Sequence, residues 1–119
     1  MVAHLLDRLT EDHPGCRMAA YADLSTGMVL VARGETPARE VLDGLCSEAS
    51  RTLALPEPDP DAPVGALAVA HTPDGVRIFL RHGRAPEEAL CCLASSDLAL
   101  EAFLPAARAC LDQISGGAA

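Results

Sequence analysis

The sequence predicts an α+β fold on an antiparallel sheet, and three observations carry that prediction. Periodicities of helix and strand type follow one another in the order helix, two strands, helix, three strands, helix. Residues 65–71 and 76–82 read as two strands joined by Thr72-Pro73-Asp74-Gly75, in which Pro and Asp precede a Gly in the order that favours a tight reversal. The last strand, Ala89-Leu90-Cys91-Cys92-Leu93-Ala94, is apolar on both faces, which places it at the centre of a sheet covered on both sides.

Each element has its own local reason. Val2, Leu5, Leu6 and Leu9 form one apolar stripe of a short helix that ends before His13-Pro14-Gly15. Residues 16–23 suit a strand, and after Leu24-Ser25-Thr26-Gly27 a second apolar run, Met28-Val29-Leu30-Val31-Ala32, closes a hairpin that ends at Arg33-Gly34. Thr36 as N-cap, Pro37 at the first helical position and Glu40 near the N-terminal end open a middle helix. Val41, Leu42, Leu45, Cys46, Ala49 and Leu53 keep helical spacing along it to about Ala54. Residues 55–63 hold four Pro and the acids Glu57, Asp59 and Asp61, the composition of an extended, solvated connector. In the strand pair that follows, Ala66-Leu67-Ala68-Val69-Ala70 is uncharged, whereas Val76, Ile78 and Leu80 alternate with Arg77, Phe79 and Arg81. Gly83-Arg84-Ala85-Pro86 turns the chain into the fifth strand. Ser95-Ser96-Asp97, with Ser96 as the cap, starts a last helix whose buried stripe is Leu100, Phe103, Leu104, Ala107, Cys110, Leu111 and Ile114; Pro105 is expected to kink or split it.

At 119 residues the chain is expected to form one domain over residues 1–114, followed by a disordered tail at 115–119. Half of the residues are hydrophobic but only 3% are aromatic, and Trp is absent, so the core is aliphatic. A net charge of -8, with nine Arg scattered and no Lys, argues against nucleic acid and anionic membranes as partners. Neither a membrane span nor an export leader is legible, and a cytoplasmic protein is expected. The five Cys have no regular spacing and read as reduced core residues, with Cys91 and Cys92 on opposite faces of one strand.

Candidate chemistry is sparse. His71 and His82 flank the central turn, but two ligands without a third do not make a zinc site, so no metal is expected. Cys91-Cys92 lacks the spacing of a redox pair. Asp23-Leu24-Ser25-Thr26-Gly27 lacks the Gly-rich loop, Lys and following helix of a phosphate cradle. None of Ser25, Ser47, Ser50, Ser95 and Ser96 sits in a nucleophile elbow. No catalytic residue and no cofactor is therefore expected.

Gly15-Cys16-Arg17-Met18-Ala19-Ala20-Tyr21-Ala22-Asp23 followed by Thr26-Gly27-Met28-Val29-Leu30 is similar to the opening hairpin of the roadblock/LC7 family, within the wider profilin-like architecture. The element order resembles that family over nearly the whole chain. The resemblance implies strand order 2-1-5-4-3, with the middle helix on one face and the terminal helices on the other. It also implies a non-enzymatic scaffold that dimerises through the middle helix and third strand and binds or regulates a small Ras-like GTPase. The Pro/Asp-rich connector and Pro105 depart from the family pattern. A profilin-like small-molecule sensor or carrier is the alternative, although the aromatic and polar lining of such a pocket is largely missing. In the implied order residues 65–70 lie at a sheet edge without Lys, Pro or inward charge to guard it, a physical reason to expect a homodimer. Leu67 and Val69 would pair across that edge, with Val41, Leu45 and Ala49 packing between middle helices. Arg77, Phe79 and Arg81, an aromatic between two Arg, form the expected surface for a further partner.

Overall fold

A computed structural model of the chain describes residues 2–35, 37–53, 67–81 and 87–115. The elements are α1 (Val2–Asp12), β1 (Cys16–Asp23), β2 (Met28–Gly34), α2 (Arg39–Leu53), β3 (Leu67–Thr72), β4 (Gly75–Arg81), β5 (Glu88–Ala94) and α3 (Leu100–Ser115). The five strands form one antiparallel sheet in the order β2-β1-β5-β4-β3, as expected from the resemblance. The connector 55–63, His82, the 83–86 turn, the Thr36 cap and most of the tail lie outside the described residues.

The alternation of side chains along each strand divides the core into two apolar layers. On one face Ala19, Tyr21, Ile78, Leu80, Leu90 and Cys92 pack with Leu6 and Leu9 of α1 and Phe103, Ala107 and Leu111 of α3. On the other, Met18, Ala20, Phe79, Ala89 and Cys91 pack with Leu45, Cys46, Ala49 and Leu53 of α2. β1 and β5 are buried along almost their whole length, because both faces are covered and both flanks are hydrogen-bonded. Cys91 and Cys92 lie in different layers, as strand alternation requires.

Two local details differ from the sequence expectation, and of the two outcomes expected for Pro105 the splitting of the helix does not occur. The middle helix begins at Arg39, with the Ala38 carbonyl accepting from Val41 and Leu42, so Pro37 precedes the helix instead of opening it. The last helix begins at Leu100, and the Ala99 carbonyl accepts from Ala102 and Phe103; Ser96 is therefore not its cap. The Ser95 hydroxyl bonds to Asp97 at 2.5 Å and to the Gly15 carbonyl at 3.3 Å, tying the β5–α3 turn to the start of β1. Pro105 does not split α3, which runs through it as one segment. It sits on the exposed side of α3, where water can take the Glu101 carbonyl that lost its helical donor.

Two glycines fix the hairpins. Gly27 has φ +72° and closes the β1–β2 turn, donating to the Asp23 carbonyl at 2.9 Å, while the Asp23 carboxylate accepts from the Ser25 N–H at 3.0 Å. Gly75 has φ +147°, and a Cβ built there would lie 2.3 Å from the carbonyl oxygen of Ala94 on β5. Gly27→Ala is expected to cost about 1–2 kcal/mol, the usual cost of a left-handed alanine. Gly75→Ala should cost more, because the clash with β5 adds to the same backbone strain. Chemical denaturation of both variants checks this: both midpoints fall, and that of Gly75→Ala falls further.

Candidate interaction surface

The two edges of the sheet are unlike. On β2, pairing steps from Val31 opposite Tyr21 to Val29 opposite Ala22, so Leu30 is the extra residue of a bulge. Further along β2, Arg33 donates to Asp7 of α1 at 2.8 and 3.0 Å, and its guanidinium holds the Asp7 carboxyl below its usual pKa. A bulge and a charged side chain are the devices that blunt an exposed edge. β3 has neither. Its six residues pair in unbroken register with β4, from Leu67 opposite Leu80 to Thr72 opposite Gly75, without a bulge. Leu67 is 43% exposed on that edge, and Val69, two residues on, is half-buried against the α1/α3 layer.

α2 lies over the opposite face, and its inward stripe corrects two of the expected interface positions. Leu45 and Ala49 are 3% and 0% exposed, packed on the sheet of their own subunit, and so cannot meet a second helix. The helical period turns them inward together with Cys46 and Leu53. Val41, one turn earlier and 46% exposed, stays at the surface. The expected Arg77-Phe79-Arg81 surface is also overturned. Phe79 is 0% exposed beneath α2, and Arg77 donates to Glu48 of α2 at 2.6 Å, so this face of β4 is the floor of the α2 layer. Arg81 is half-buried at the end of the strand. Sequence alternation correctly put the three residues on one face, but it does not say which face a helix covers.

A groove of about 350 Å³ opens between the N-terminal half of α2 and the ends of β4 and β5. Val41, Leu45, Val76 and Leu93 give it an apolar floor, and Arg17, Glu35, Asp74 and Arg77 line its rim. Of the rim charges, Arg17 is paired with Glu35 at 3.1 Å, and Arg77 with Glu48 of α2 outside the groove. Among the described residues no group of three His, Cys, Asp or Glu is placed to hold a metal ion; His71 is exposed on β3. All five Cys are free and buried. Burial pushes the Cys91 thiol up to about 12 and the Cys110 thiol to about 11, which removes the thiolate that nucleophilic or redox chemistry requires. The Tyr21 hydroxyl, buried in the α1/α3 layer, donates to the Glu88 carboxylate across the β1–β5 pair. Among the described residues, no helix is long and apolar enough to cross a membrane.

No protein-family model matches the chain. No curated protein matches it by sequence. The architecture, however, is that of a roadblock/LC7 domain: a five-stranded antiparallel sheet between one central helix and two terminal ones. Solved structures share it over nearly their full length. A roadblock/LC7 domain from Streptomyces avermitilis matches with TM-score 0.75 at 14% identity, over 96% of this chain and 94% of its own. MglB of Myxococcus xanthus matches with TM-score 0.77 at 12% identity, over 97% and 92%. An MglB with a tetrameric arrangement matches with TM-score 0.72 at 17% identity, over 97% and 85%. At these identities the likeness is one of fold.

The corrected role of Phe79 is directly testable. Phe79→Ala should destabilise the protein by about 3–5 kcal/mol, as removal of a buried aromatic does. Arg81→Glu, at the margin of the same face, should change stability by no more than about 0.5 kcal/mol. Urea titration followed by far-UV circular dichroism separates the two, and a nearly neutral Phe79→Ala would restore the surface reading.

Proposed function

We propose that this chain is a non-enzymatic interaction module that pairs with a second copy of itself and, as a dimer, serves a small Ras-like GTPase as scaffold or regulator. The observation that supports self-association most directly is the unguarded β3 edge. Six residues of β3 pair in unbroken register with β4 and, among the described residues, with no strand on their outer side, where Leu67 is exposed, whereas the other edge of the same sheet is bulged and charged. Two copies related by a two-fold axis can join these edges into one continuous sheet, with the exposed side of α2, Val41 included, turned towards its counterpart. The tetrameric arrangement of one MglB shows that this fold is compatible with assembly in that protein.

The GTPase half of the reading rests on the resemblance of the opening hairpin and on the roadblock/LC7 fold. With Phe79 buried, the partner surface lies elsewhere, and the outer sides of α1 and α3 remain available to it. There Arg8, Asp12, Ala109 and Gln113 rim a groove floored by Leu5, Leu9 and Cys110.

Sedimentation of the full chain should show a dimer at about tens of micromolar, a range that separates weak from stable self-association. Leu67→Lys should yield folded monomers, because an edge lysine opposes strand pairing; a Leu67→Lys dimer as tight as the original would count against the β3 edge. For the partner, immobilised Ras-like GTPases loaded with GTP analogue or GDP should retain the chain in one nucleotide state more than the other. Equal failure in both states would remove the GTPase from the proposal and leave the dimer standing.

A further inference from the structure

The β3–β4 hairpin determines which backbone groups of β3 face outward. Its loop is the two residues Pro73 and Asp74, and Thr72 stands opposite Gly75. In an antiparallel hairpin of this loop length the pair beside the loop exchanges both backbone hydrogen bonds, and every second pair along the ladder does the same. Thr72, Ala70 and Ala68 therefore turn their N–H and C=O groups towards β4. Leu67, Val69 and His71 turn theirs to the other side, where no described strand lies. The side chains of these three residues also share a face: Val69 packs against the α1/α3 layer, and strand alternation puts Leu67 and His71 with it. Leu67 and His71 are both exposed.

A two-fold that joins two such edges can centre on any residue from Leu67 to His71, and the choice decides what meets what. Only a centre on Val69 gives all three outward residues of each copy a partner within β3. Val69 then stands opposite Val69 of the partner subunit, and His71 opposite Leu67 of the partner subunit. Within one subunit β4 and α2 pack on β3. On β4, Val76 stands opposite His71, and Arg77 is turned to the α2 face, where Glu48 holds it. α2, with Arg39, Glu40, Asp43, Glu48 and Arg51, lies across that other face. α3, over β4 on the same face as His71, carries Glu101, Arg108 and Asp112 outside its buried stripe, and Asp74 is in the adjoining turn. Among the described residues no ion pair includes His71.

Resting on the dimer proposed above, we infer that His71 is a charge gate on the β3 edge: two copies join with Val69 on the two-fold while both imidazoles are neutral, and protonation of His71 against Leu67 of the partner subunit parts them. Joining the edges replaces water beside the imidazole with an isobutyl group. A neutral imidazole accepts that exchange, whereas an imidazolium loses hydration, and neither β3 nor β4 holds a carboxylate to compensate it. The dimer therefore binds protons less readily than the free edge does. Association is complete above the range in which histidines gain their charge and weakens as pH falls through it. Each dimer holds two such contacts, one on either side of the axis, so the effect enters twice.

Sedimentation of the full chain at about pH 8 and about pH 5.5, with the fold checked at both by circular dichroism, tests the gate. Association should be about tenfold or more weaker in the acidic sample. His71→Gln, which keeps a polar side chain without a charge change in this range, should bring the two values together. His71→Arg sets a permanent charge at the same place and should weaken association to a similar extent in the alkaline sample, so the outcome does not hang on the acidic one alone. Equal association of the original chain at both pH values overturns the gate while the dimer stands. So does a His71→Gln chain that keeps the full pH dependence, or a His71→Arg chain that pairs as tightly as the original in the alkaline sample. An original chain that stays monomeric at about tens of micromolar in the alkaline sample removes the dimer itself, a distinct outcome.

Discussion

The structure depends on one constraint: β1 and β5 are apolar on both faces, so both faces of the sheet must be covered. Met18, Ala20 and Cys91 on one side and Ala19, Tyr21, Leu90 and Cys92 on the other cannot be left to water. At about 25 cal/mol per Å² of apolar surface, exposing either side would remove a large part of the driving force for folding. One helix covers the side that holds Met18, Ala20, Ala22, Phe79 and Ala89. Two helices cover the side that holds Ala19, Tyr21, Ile78, Leu80 and Leu90.

Polar contacts then fix how the layers sit. Arg33 of β2 grips Asp7 of α1, and Arg77 of β4 grips Glu48 of α2, one ion pair for each helical layer. Neither is deeply buried, so each contributes modestly to stability and more to orientation. The same two contacts explain why the sheet edges differ. The α1 anchor sits on β2 and helps to guard that edge, whereas the α2 anchor sits on β4, one strand inside β3, and among the described residues no ion pair ties down the last strand.

Much of this is legible in the sequence. Periodicity places the helices and strands because a half-buried helix and a fully buried strand impose different repeats on apolar residues. The Pro-Asp-Gly order marks the β3–β4 turn because only certain residues take the required backbone angles. Harder to read is what depends on which side of an element meets the protein. Leu45 and Ala49 have the character of interface residues until the helix is set on the sheet, and Phe79 between two arginines looks like an anchor until α2 lies over it. Helix starts at Arg39 and Leu100 are missed for a related reason. Pro37 and Ser96 satisfy local rules for opening a helix, but the chain needs a few more residues to climb from the strand ends to the helical layer.

The division of the thiols between the layers makes each face of the sheet distinguishable from the other by chemistry. Cys46 and Cys91 are enclosed by α2, and Cys16, Cys92 and Cys110 by α1 and α3. Transient detachment of α2 would uncover the first pair alone, and breathing of the terminal helices would uncover the second set. The adjacent Cys91 and Cys92, one residue apart in sequence, would thus be uncovered by separate openings. Thiol labelling of each would report the opening of its own layer.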